Sequence, residues 1–215
     1  AMAMKANPIK IVGCGPGSLE YVTPLAYKMA HEADVLVGAQ RLLDLFPQTA
    51  AQRIPVSSRI EELLDQLEKI PPEKRIVVLV TGDPGLLSLA RLVIARFGRD
   101  ACRVIAGVSS LQVAFAALGL DWHDALVIDA HGDLPRIDDA SIAHAGKIAV
   151  YAGKKESFAW MAGLARLLGS EYRIFLCADL TLPGETVREI TEDNLLEEGY
   201  PSLSIVIFVK KELME

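Results

Sequence analysis

The chain has 215 residues, of which 51% are hydrophobic and 23% are charged, and its formal net charge is −6 at pH 7. This composition is typical of a globular protein with a substantial core and excludes a largely disordered chain. The acidic balance argues against a general nucleic-acid binder, whose surface is usually basic. No apolar run reaches the roughly 20 residues that span a membrane, and the first residues lack the apolar segment of a signal peptide. We therefore expect one or two globular domains, with no nucleic-acid and no membrane partner.

Short apolar runs alternate with helical patterns in the first half of the chain. The predicted strands are residues 9–12, 35–37, 76–80 and 102–105. The predicted helices are residues 24–31, 39–46, 60–70, 86–97 and 109–118. Thr23 supplies a capping hydroxyl with Pro24 at the first helical position, and Ser58 is the candidate cap of the third helix. The alternation of strands and helices predicts a parallel α/β sheet.

The pattern changes near residue 120. The predicted strands are now residues 125–128, 147–151, 173–178, 187–190 and 204–209, with helices at residues 157–168 and 192–198 and a polar stretch at residues 131–144. Several of these strands follow one another without a helix, which indicates a mixed sheet. We predict two α/β domains, residues 8–120 with a parallel sheet and residues 121–215 with a mixed sheet.

Cysteine and histidine spacing gives no sign of a metal site. The three cysteines, Cys14, Cys102 and Cys177, are odd in number, have no CxxC spacing and lie in or beside apolar runs. This pattern favours buried reduced thiols over disulfides or metal ligands. The four histidines also lack metal-ligand spacing. We predict no metal and a reducing, cytoplasmic location.

Two glycine-rich loops directly follow predicted strands. They are Gly13-Cys14-Gly15-Pro16-Gly17 and Gly82-Asp83-Pro84-Gly85. Glycine lets the backbone approach a ligand closely, and proline fixes the turn. A third segment, residues 106–110, follows the strand at residues 102–105, and its Ser109 is a candidate helix cap. Because ligands of open α/β sheets bind beyond the carboxyl ends of the strands, these loops predict a small-molecule site.

The first loop does not match a dinucleotide-binding fingerprint. The third small residue of that motif would be Ser18, and the helix begins only at Thr23-Pro24 rather than inside the loop. The acidic residue expected after the second strand is also missing, because residues 38–41 are Gly-Ala-Gln-Arg. The spacing therefore disfavours a nicotinamide-dependent oxidoreductase.

The ordered set of these three segments resembles the tetrapyrrole methylase family, S-adenosylmethionine-dependent methyltransferases of corrin and siroheme synthesis. The resemblance extends from Ile9 to Val209. Residues 34–38 with Arg41-Leu42-Leu43, residues 109–116, residues 119–125 and His131-Gly132 are similar to the cobalamin-pathway branch that methylates carbon 5 of precorrin-6Y or cobalt-precorrin-7. Other branches, such as uroporphyrinogen methylases and ribosomal RNA ribose methylases, and a non-enzymatic cofactor or tetrapyrrole carrier stay open as alternatives.

The resemblance implies a two-domain fold that binds S-adenosylmethionine between its domains. The residues implied to contact this cofactor are Gly82, Asp83, Pro84, Leu86, Leu87, Ser109, Ser110, Leu111, Ala152, Leu180 and Thr181. For Asp83 the alternative is a turn-forming role, and for Ser109 and Ser110 it is helix capping.

The implied substrate is a tetrapyrrole with many carboxylates. Gly13, Gly15 and Pro16 would shape the floor beneath it, and Arg41, Arg53 and Lys154 are candidate carboxylate partners or, alternatively, solvated surface charges. His131 is the candidate catalytic residue, since imidazole moves protons near neutral pH, and a helix-cap or core role is the alternative.

The resemblance also implies partners, and the chain departs from the family pattern after His131-Gly132. A homodimer is expected, and the carbon-15 methylation and decarboxylation step is expected on a separate chain, because this chain ends after one methylase unit. Relatives often have arginine after His131-Gly132, where this chain has Asp133, and Arg136 is the candidate replacement.

Overall fold

The computed structural model describes residues 7–135, 142, 144–197, 200–201 and 204–215. The chain divides into two compact units, Ala1–Ser110 and Leu111–Glu215. Each unit contains one five-stranded sheet. The predicted domain boundary near residue 120 stays a prediction.

The sheet of the first unit is parallel throughout, as predicted. Its strands are β1 (Ile9–Gly13), β2 (Val35–Gly38), β3 (Gln52–Pro55), β4 (Ile76–Val80) and β5 (Cys102–Ile105), and their order is β3-β2-β4-β1-β5. The sequence did not predict β3, since only Ile54 of its four residues is buried and an edge strand carries little apolar signal. All five residues of the central strand β4 are buried, which explains its continuous apolar run.

The helices of the first unit begin and end within three residues of their predicted bounds, except at the start of the fourth helix. They are α1 (Pro24–His31), α2 (Gln40–Leu43), α3 (Ile60–Glu68), α4 (Ala90–Phe97) and α5 (Ser110–Ala117), whose later residues belong to the second unit. Thr23 caps α1 as predicted, since its Oγ1 accepts the N–H of Ala26 at 3.1 Å. The predicted Ser58 cap is wrong, because Arg59 precedes α3 with no side-chain cap. The predicted start of α4 at residue 86 is also wrong, because residues 86–89 form a loop.

The parallel sheet packs apolar side chains on both faces. Alternate residues of a strand point to opposite faces, so one core cluster contains Ile11 and Val78 while the other contains Val12 and Leu79. A sheet that is buried on both sides by helices holds its strand ends in a defined register, and the loops after those strands are positioned by that register.

The second unit contains a mixed sheet, as predicted. Its strands are β6 (Leu126–Ala130), β7 (Lys147–Ala152), β8 (Tyr172–Ala178), β9 (Thr186–Ile190) and β10 (Ser204–Lys210), in the order β6-β7-β10-β8-β9. Only the β6–β7 pair is parallel among these pairings of described residues. The helices are α6 (Lys155–Leu168) and α7 (Glu192–Leu195), and Phe158 and Met161 of α6 pack on the sheet.

Lys147, the first residue of β7, binds the segment at residues 119–125 that precedes β6. Its side chain is buried, and its ammonium donates to Asp121 Oδ1 at 2.8 Å and to the Asp121 carbonyl at 3.1 Å. Asp124 Oδ1 lies 3.2 Å from the same ammonium. Two acidic residues of the segment at residues 119–125 therefore compensate one buried cation.

An ion pair joins the residues directly before β2 and β4, and it should make stability depend on pH. Arg75 donates its Nε and Nη2 to the two carboxylate oxygens of Asp34, each at 3.0 Å, and its backbone N–H donates to Oδ2 at 2.8 Å. These hydrogen bonds hold the pKa of Asp34 well below its ordinary value of 3.8. A depressed carboxyl pKa contributes stability above the unfolded-state pKa, and that contribution is lost as the pH falls toward the folded-state pKa.

Replacing Asp34 with asparagine should therefore lower the urea midpoint at pH 7, and the gap to the unchanged protein should narrow below about pH 4. The measurement is a set of urea unfolding curves from pH 7 to pH 3, with the exposed Asp100→Asn variant as the control. A gap that stays constant over this range would contradict the assignment.

Candidate functional site

The glycine-rich loops meet through their backbones at the carboxyl edge of the parallel sheet. Gly15 and Gly82 form an isolated antiparallel bridge, with N···O distances of 3.3 Å and 2.8 Å. A Cβ atom added to Gly13 would lie 2.6 Å from the carbonyl oxygen of Gly82 and 2.7 Å from the nitrogen of Gly107. The loops after β1, β4 and β5 are thus in backbone contact, and glycine at position 13 permits it.

Asp83 ties two of these loops together. Its Oδ1 accepts the N–H of Gly85 at 2.8 Å, which is a turn within its own loop, and its Oδ2 accepts the N–H of Gly107 at 3.0 Å. The turn-forming alternative for Asp83 is therefore present in the structure. With both carboxylate oxygens engaged, Asp83 organises the loop, and its contact with a cofactor stays a prediction.

Leu87 presents a large apolar side chain from a strained backbone. Its φ is +49°, a conformation that leucine rarely adopts, and 49% of its surface is exposed. Ser88 supports the turn, because its Oγ donates to the Pro84 carbonyl at 2.6 Å and accepts the N–H of Ala90 at 3.2 Å. The predicted Leu86 is half-buried beside it. Strain of this kind concentrates at functional sites, so Leu87 is a good candidate for ligand contact.

Two arginines that looked alike in sequence have different surroundings. Arg41 is half-buried at the start of α2, and its Nη2 donates to Thr81 Oγ1 at 2.5 Å. Arg53 donates instead to the carbonyls of Phe46 at 2.7 Å and Leu43 at 3.3 Å, which closes the carboxyl end of α2. Arg41 therefore stays a candidate for substrate binding, whereas Arg53 has a structural role.

The predicted residues of the third segment lie at the start of α5. Ser109 is 7% exposed and directly precedes the helix, and Ser110 is its first residue. Leu111, which is 4% exposed, is the first residue of the second unit. Gly82 faces this segment, since its Cβ position lies 3.7 Å from the Cα of Ser109.

The remaining predicted residues lie along one edge of the mixed sheet. Strand pairing puts Ala130, Ala152, Ser204, Ala178 and Thr186 in one row across the five strands. His131 follows Ala130 in the chain, and Leu180 and Thr181 follow Ala178 closely. The structure thus brings His131, Ala152, Leu180 and Thr181 to a common edge, although they are far apart in sequence.

His131 is held in place by its neighbours while 41% of its side chain stays exposed. Asp129 Oδ1 accepts the backbone N–H of His131 at 3.0 Å and lies 3.5 Å from its Nδ1. The ring packs against Tyr151, with 5.8 Å between ring centroids, and a Cβ added to Gly153 would lie 2.8 Å from His131 Cδ2. An oriented, accessible imidazole can exchange a proton with a ligand.

Sequence reasoning missed Asp129, Tyr151 and Gly153. The only local signal is the spacing of Asp129, two residues before His131, which is typical of an aspartate that bonds its own backbone. The other two contacts join β6 to the end of β7 and depend on the sheet. Arg136, the candidate replacement for the arginine that relatives have after the His-Gly pair, lies outside the described residues.

The loop after β8 has an unusual backbone. Asp179 and Thr181 have φ values of +48° and +67°, and the N–H of Thr181 donates to Glu185 Oε2 at 2.6 Å. Leu180 between them is 5% exposed. The glutamate of the turn at residues 182–185 therefore holds the segment that contains two predicted cofactor residues.

Lys154, the third candidate carboxylate partner, lines a different cavity. It follows β7 and borders a cavity of about 420 Å³ together with Phe158 and Tyr200. The rings of Phe158 and Tyr200 are stacked, with 4.5 Å between centroids. The lining of this cavity comes from the second unit alone.

The cysteines are free thiols, as expected. Cys14 and Cys177 are buried, and burial raises the pKa of each thiol to about 12, so both are protonated at neutral pH. Cys102 is half-buried. In the part of the chain that the structure describes, no three histidine, cysteine or acidic side chains are grouped to hold a metal ion. A search of the same residues finds no helix with the length and apolarity needed to cross a membrane.

Comparison with known proteins identifies a family. The model of the Tetrapyrrole (Corrin/Porphyrin) Methylases matches residues 8–196. A relative from Methanocaldococcus jannaschii, described as a probable cobalt-precorrin-7 C(5)-methyltransferase, is 37% identical over 129 residues, which are 58% of this chain and 60% of the relative. This chain thus aligns with about 60% of the length of the curated relatives that it matches.

Solved structures show the same fold at low sequence identity. A precorrin-6Y methylase from Archaeoglobus fulgidus has a TM-score of 0.73 and 24% identity, covering 95% of this chain and 98% of that one. A uroporphyrin-III C-methyltransferase from Thermus thermophilus, solved with S-adenosylhomocysteine, has a TM-score of 0.77 and 21% identity, covering 94% and 92%. These likenesses confirm the predicted two-domain α/β fold class.

Proposed function

The chain belongs to the tetrapyrrole (corrin/porphyrin) methylase family, and on this premise we propose that it methylates carbon 5 of a precorrin, precorrin-6Y or cobalt-precorrin-7, with S-adenosylmethionine in cobalamin synthesis. The observation that carries the proposal is the backbone contact of Gly13, Gly82 and Gly107, which gathers three ligand-binding loops at one sheet edge. The name of the relative from Methanocaldococcus jannaschii supports the carbon-5 assignment.

The residues present fit a cofactor with an apolar and a polar part. In the first unit, Gly82, Asp83 and Pro84 would hold its methionine end through backbone groups, while the exposed Leu87 and its neighbour Leu86 supply apolar contact. Ser109, Ser110 and Leu111 would contribute next to these residues. Ala152 would lie near the sugar or the adenine, and Leu180 and Thr181 would line the adenine side. S-adenosylmethionine supplies an electrophilic methyl group when bound.

The chain's own contribution to the reaction is positioning and proton transfer. Methyl transfer to carbon requires no nucleophilic side chain, because it gains most from an in-line arrangement of the two reactants. Gly13, Gly15 and Pro16 would support the ring face of the substrate. In this step carbon 5 would form a bond to the methyl group as the methyl–sulfur bond of the donor breaks and S-adenosylhomocysteine leaves, and His131 would accept the proton that the ring loses.

Calorimetric titration with S-adenosylhomocysteine, with NADH as the control ligand, tests the cofactor assignment. We expect micromolar binding of S-adenosylhomocysteine and no heat from NADH. Binding of NADH alone would support the oxidoreductase alternative, and binding of neither would contradict the proposal.

The substrate is tested separately. Turnover of cobalt-precorrin-7 or precorrin-6Y with methyl-labelled S-adenosylmethionine should place the label on carbon 5, as read by carbon-13 NMR. Labelling of uroporphyrinogen III instead would assign the chain to another branch of the family. The homodimer, the separate carbon-15 methylase chain and the cytoplasmic location stay predictions.

A further inference from the structure

Arg41 is an incompletely paired cation. Among the described residues, its only side-chain hydrogen bond is to the neutral Thr81 hydroxyl, and no carboxylate lies within ion-pair distance. Burial lowers the pKa of the Arg41 guanidinium, and the one group with which it interacts electrostatically is Cys14. Because burial keeps that thiol protonated at neutral pH, it does not compensate the charge.

Other buried or structural arginines of the chain are better satisfied. Arg75 pairs with Asp34, Arg173 pairs with Glu189, and Arg53 donates to two helix-end carbonyls. A half-buried guanidinium with one neutral partner retains donors for a planar anion, and carboxylate is the anion that matches its geometry.

A small apolar cavity lies beside Arg41 at the same sheet edge. Its volume is about 180 Å³, and it is lined by Ala39 and Leu42 on either side of Arg41, by Leu79 of β4, and by Thr81, Leu87 and Val56. At roughly 30 Å³ for each water of liquid volume, it holds on the order of six waters. This space accommodates a short alkyl chain. The lining residue Thr81 accepts a hydrogen bond from Arg41, whose charge has no carboxylate partner among the described residues.

We propose that Arg41 and this cavity form a subsite for one carboxylate-bearing side chain of the tetrapyrrole, with the methylene stem in the cavity and the carboxylate on the guanidinium. The inference rests on the proposed function and adds to it a specificity element. Thr81, whose hydroxyl accepts from Arg41 Nη2, lines the cavity, and so does the strained Leu87. A methyl or hydrogen substituent at that ring position would leave Arg41 without its anion.

Binding of uroporphyrin III, a stable tetrapyrrole polycarboxylate, tests the subsite without turnover. Arg41→Met should weaken uroporphyrin binding about 10-fold, because one charge-assisted, desolvated ion pair is lost. Arg41→Lys should recover part of the affinity, and Ala39→Leu, which fills the cavity and keeps the charge, should weaken binding by a similar factor. Fluorescence titration at fixed ionic strength measures each affinity.

The matched control is Arg99→Met, which removes one exposed positive charge away from the cavity and should bind uroporphyrin within about twofold of the unchanged protein. S-adenosylhomocysteine titration separates the two proposals, since its affinity should be equal in the unchanged protein, Arg41→Met and Arg99→Met. If the unchanged protein and Arg41→Met bind uroporphyrin equally, or neither binds it, the subsite is overturned. If the unchanged protein fails to bind S-adenosylhomocysteine, the proposed function fails instead.

Discussion

Replacing Gly13 with alanine should destabilise the first unit by about 2–4 kcal/mol and weaken S-adenosylhomocysteine binding at least 10-fold. The added Cβ would lie 2.6 Å from the Gly82 carbonyl oxygen and 2.7 Å from the Gly107 nitrogen. Both are backbone atoms at the ends of strands that flank β1, so relief requires the strands or their loops to separate. Separation breaks the paired hydrogen bonds between Gly15 and Gly82.

A graded series of alanine variants isolates this cause. At Gly38 the added Cβ would meet a side-chain atom, Leu79 Cβ, at 3.0 Å, so Gly38→Ala should have a smaller effect. Gly163 lies within α6 with no atom within 4 Å of its Cβ position, and Gly163→Ala should be neutral or slightly stabilising. Urea unfolding gives the stability of each variant and calorimetry gives its ligand affinity. A Gly13→Ala variant as stable and as tight-binding as Gly163→Ala would contradict the role of the loop contact.

Replacing His131 with asparagine should lower kcat for carbon-5 methylation by about 10²–10⁴-fold and leave the affinity for S-adenosylhomocysteine unchanged. The expected loss follows from removal of the one imidazole that the structure orients at the edge with Ala152 and Leu180. Asparagine keeps the backbone N–H that donates to Asp129 Oδ1, so this contact can persist while proton transfer is lost. Initial rates with cobalt-precorrin-7 at saturating S-adenosylmethionine measure the effect.

Two further variants separate chemistry from position. Gly153→Ala retains the imidazole but would place a Cβ 2.8 Å from its Cδ2, so its kcat should fall between those of the unchanged protein and His131→Asn. His123→Asn, an exposed histidine of the segment before β6, should keep full activity. Full activity of His131→Asn would remove His131 from the mechanism and leave the cofactor assignment intact.

Burial explains why the central strand β4 was predicted and the edge strand β3 was missed. The predicted strand at residues 76–80 matches β4 to the residue, because every side chain of this central strand is buried. The edge strand β3 has one buried residue and was missed. Local sequence predicted the capping residue of α1 correctly, because the Thr23 hydroxyl accepts a backbone N–H of that helix. It failed for α3, where Arg59 rather than Ser58 directly precedes the helix and no side chain caps it.

The sequence by itself determined the fold class and the order of the three loops that follow β1, β4 and β5. These features arise within a few residues of the chain, from apolar periodicity, glycine, proline and capping hydroxyls. Family resemblance then indicated which of these residues belong to one site.

Tertiary structure alone decided what each polar side chain does there. Arg41 and Arg53 have the same chemistry, but one reaches Thr81, 40 residues away, and the other closes a nearby helix. Asp83 accepts a hydrogen bond from Gly107 across 24 residues, and Gly153, which follows β7, lies against His131, which follows β6. Such contacts are set by the order and register of the strands in the sheet. Local sequence preferences therefore do not indicate which residue of a distant strand or loop will contact a given side chain.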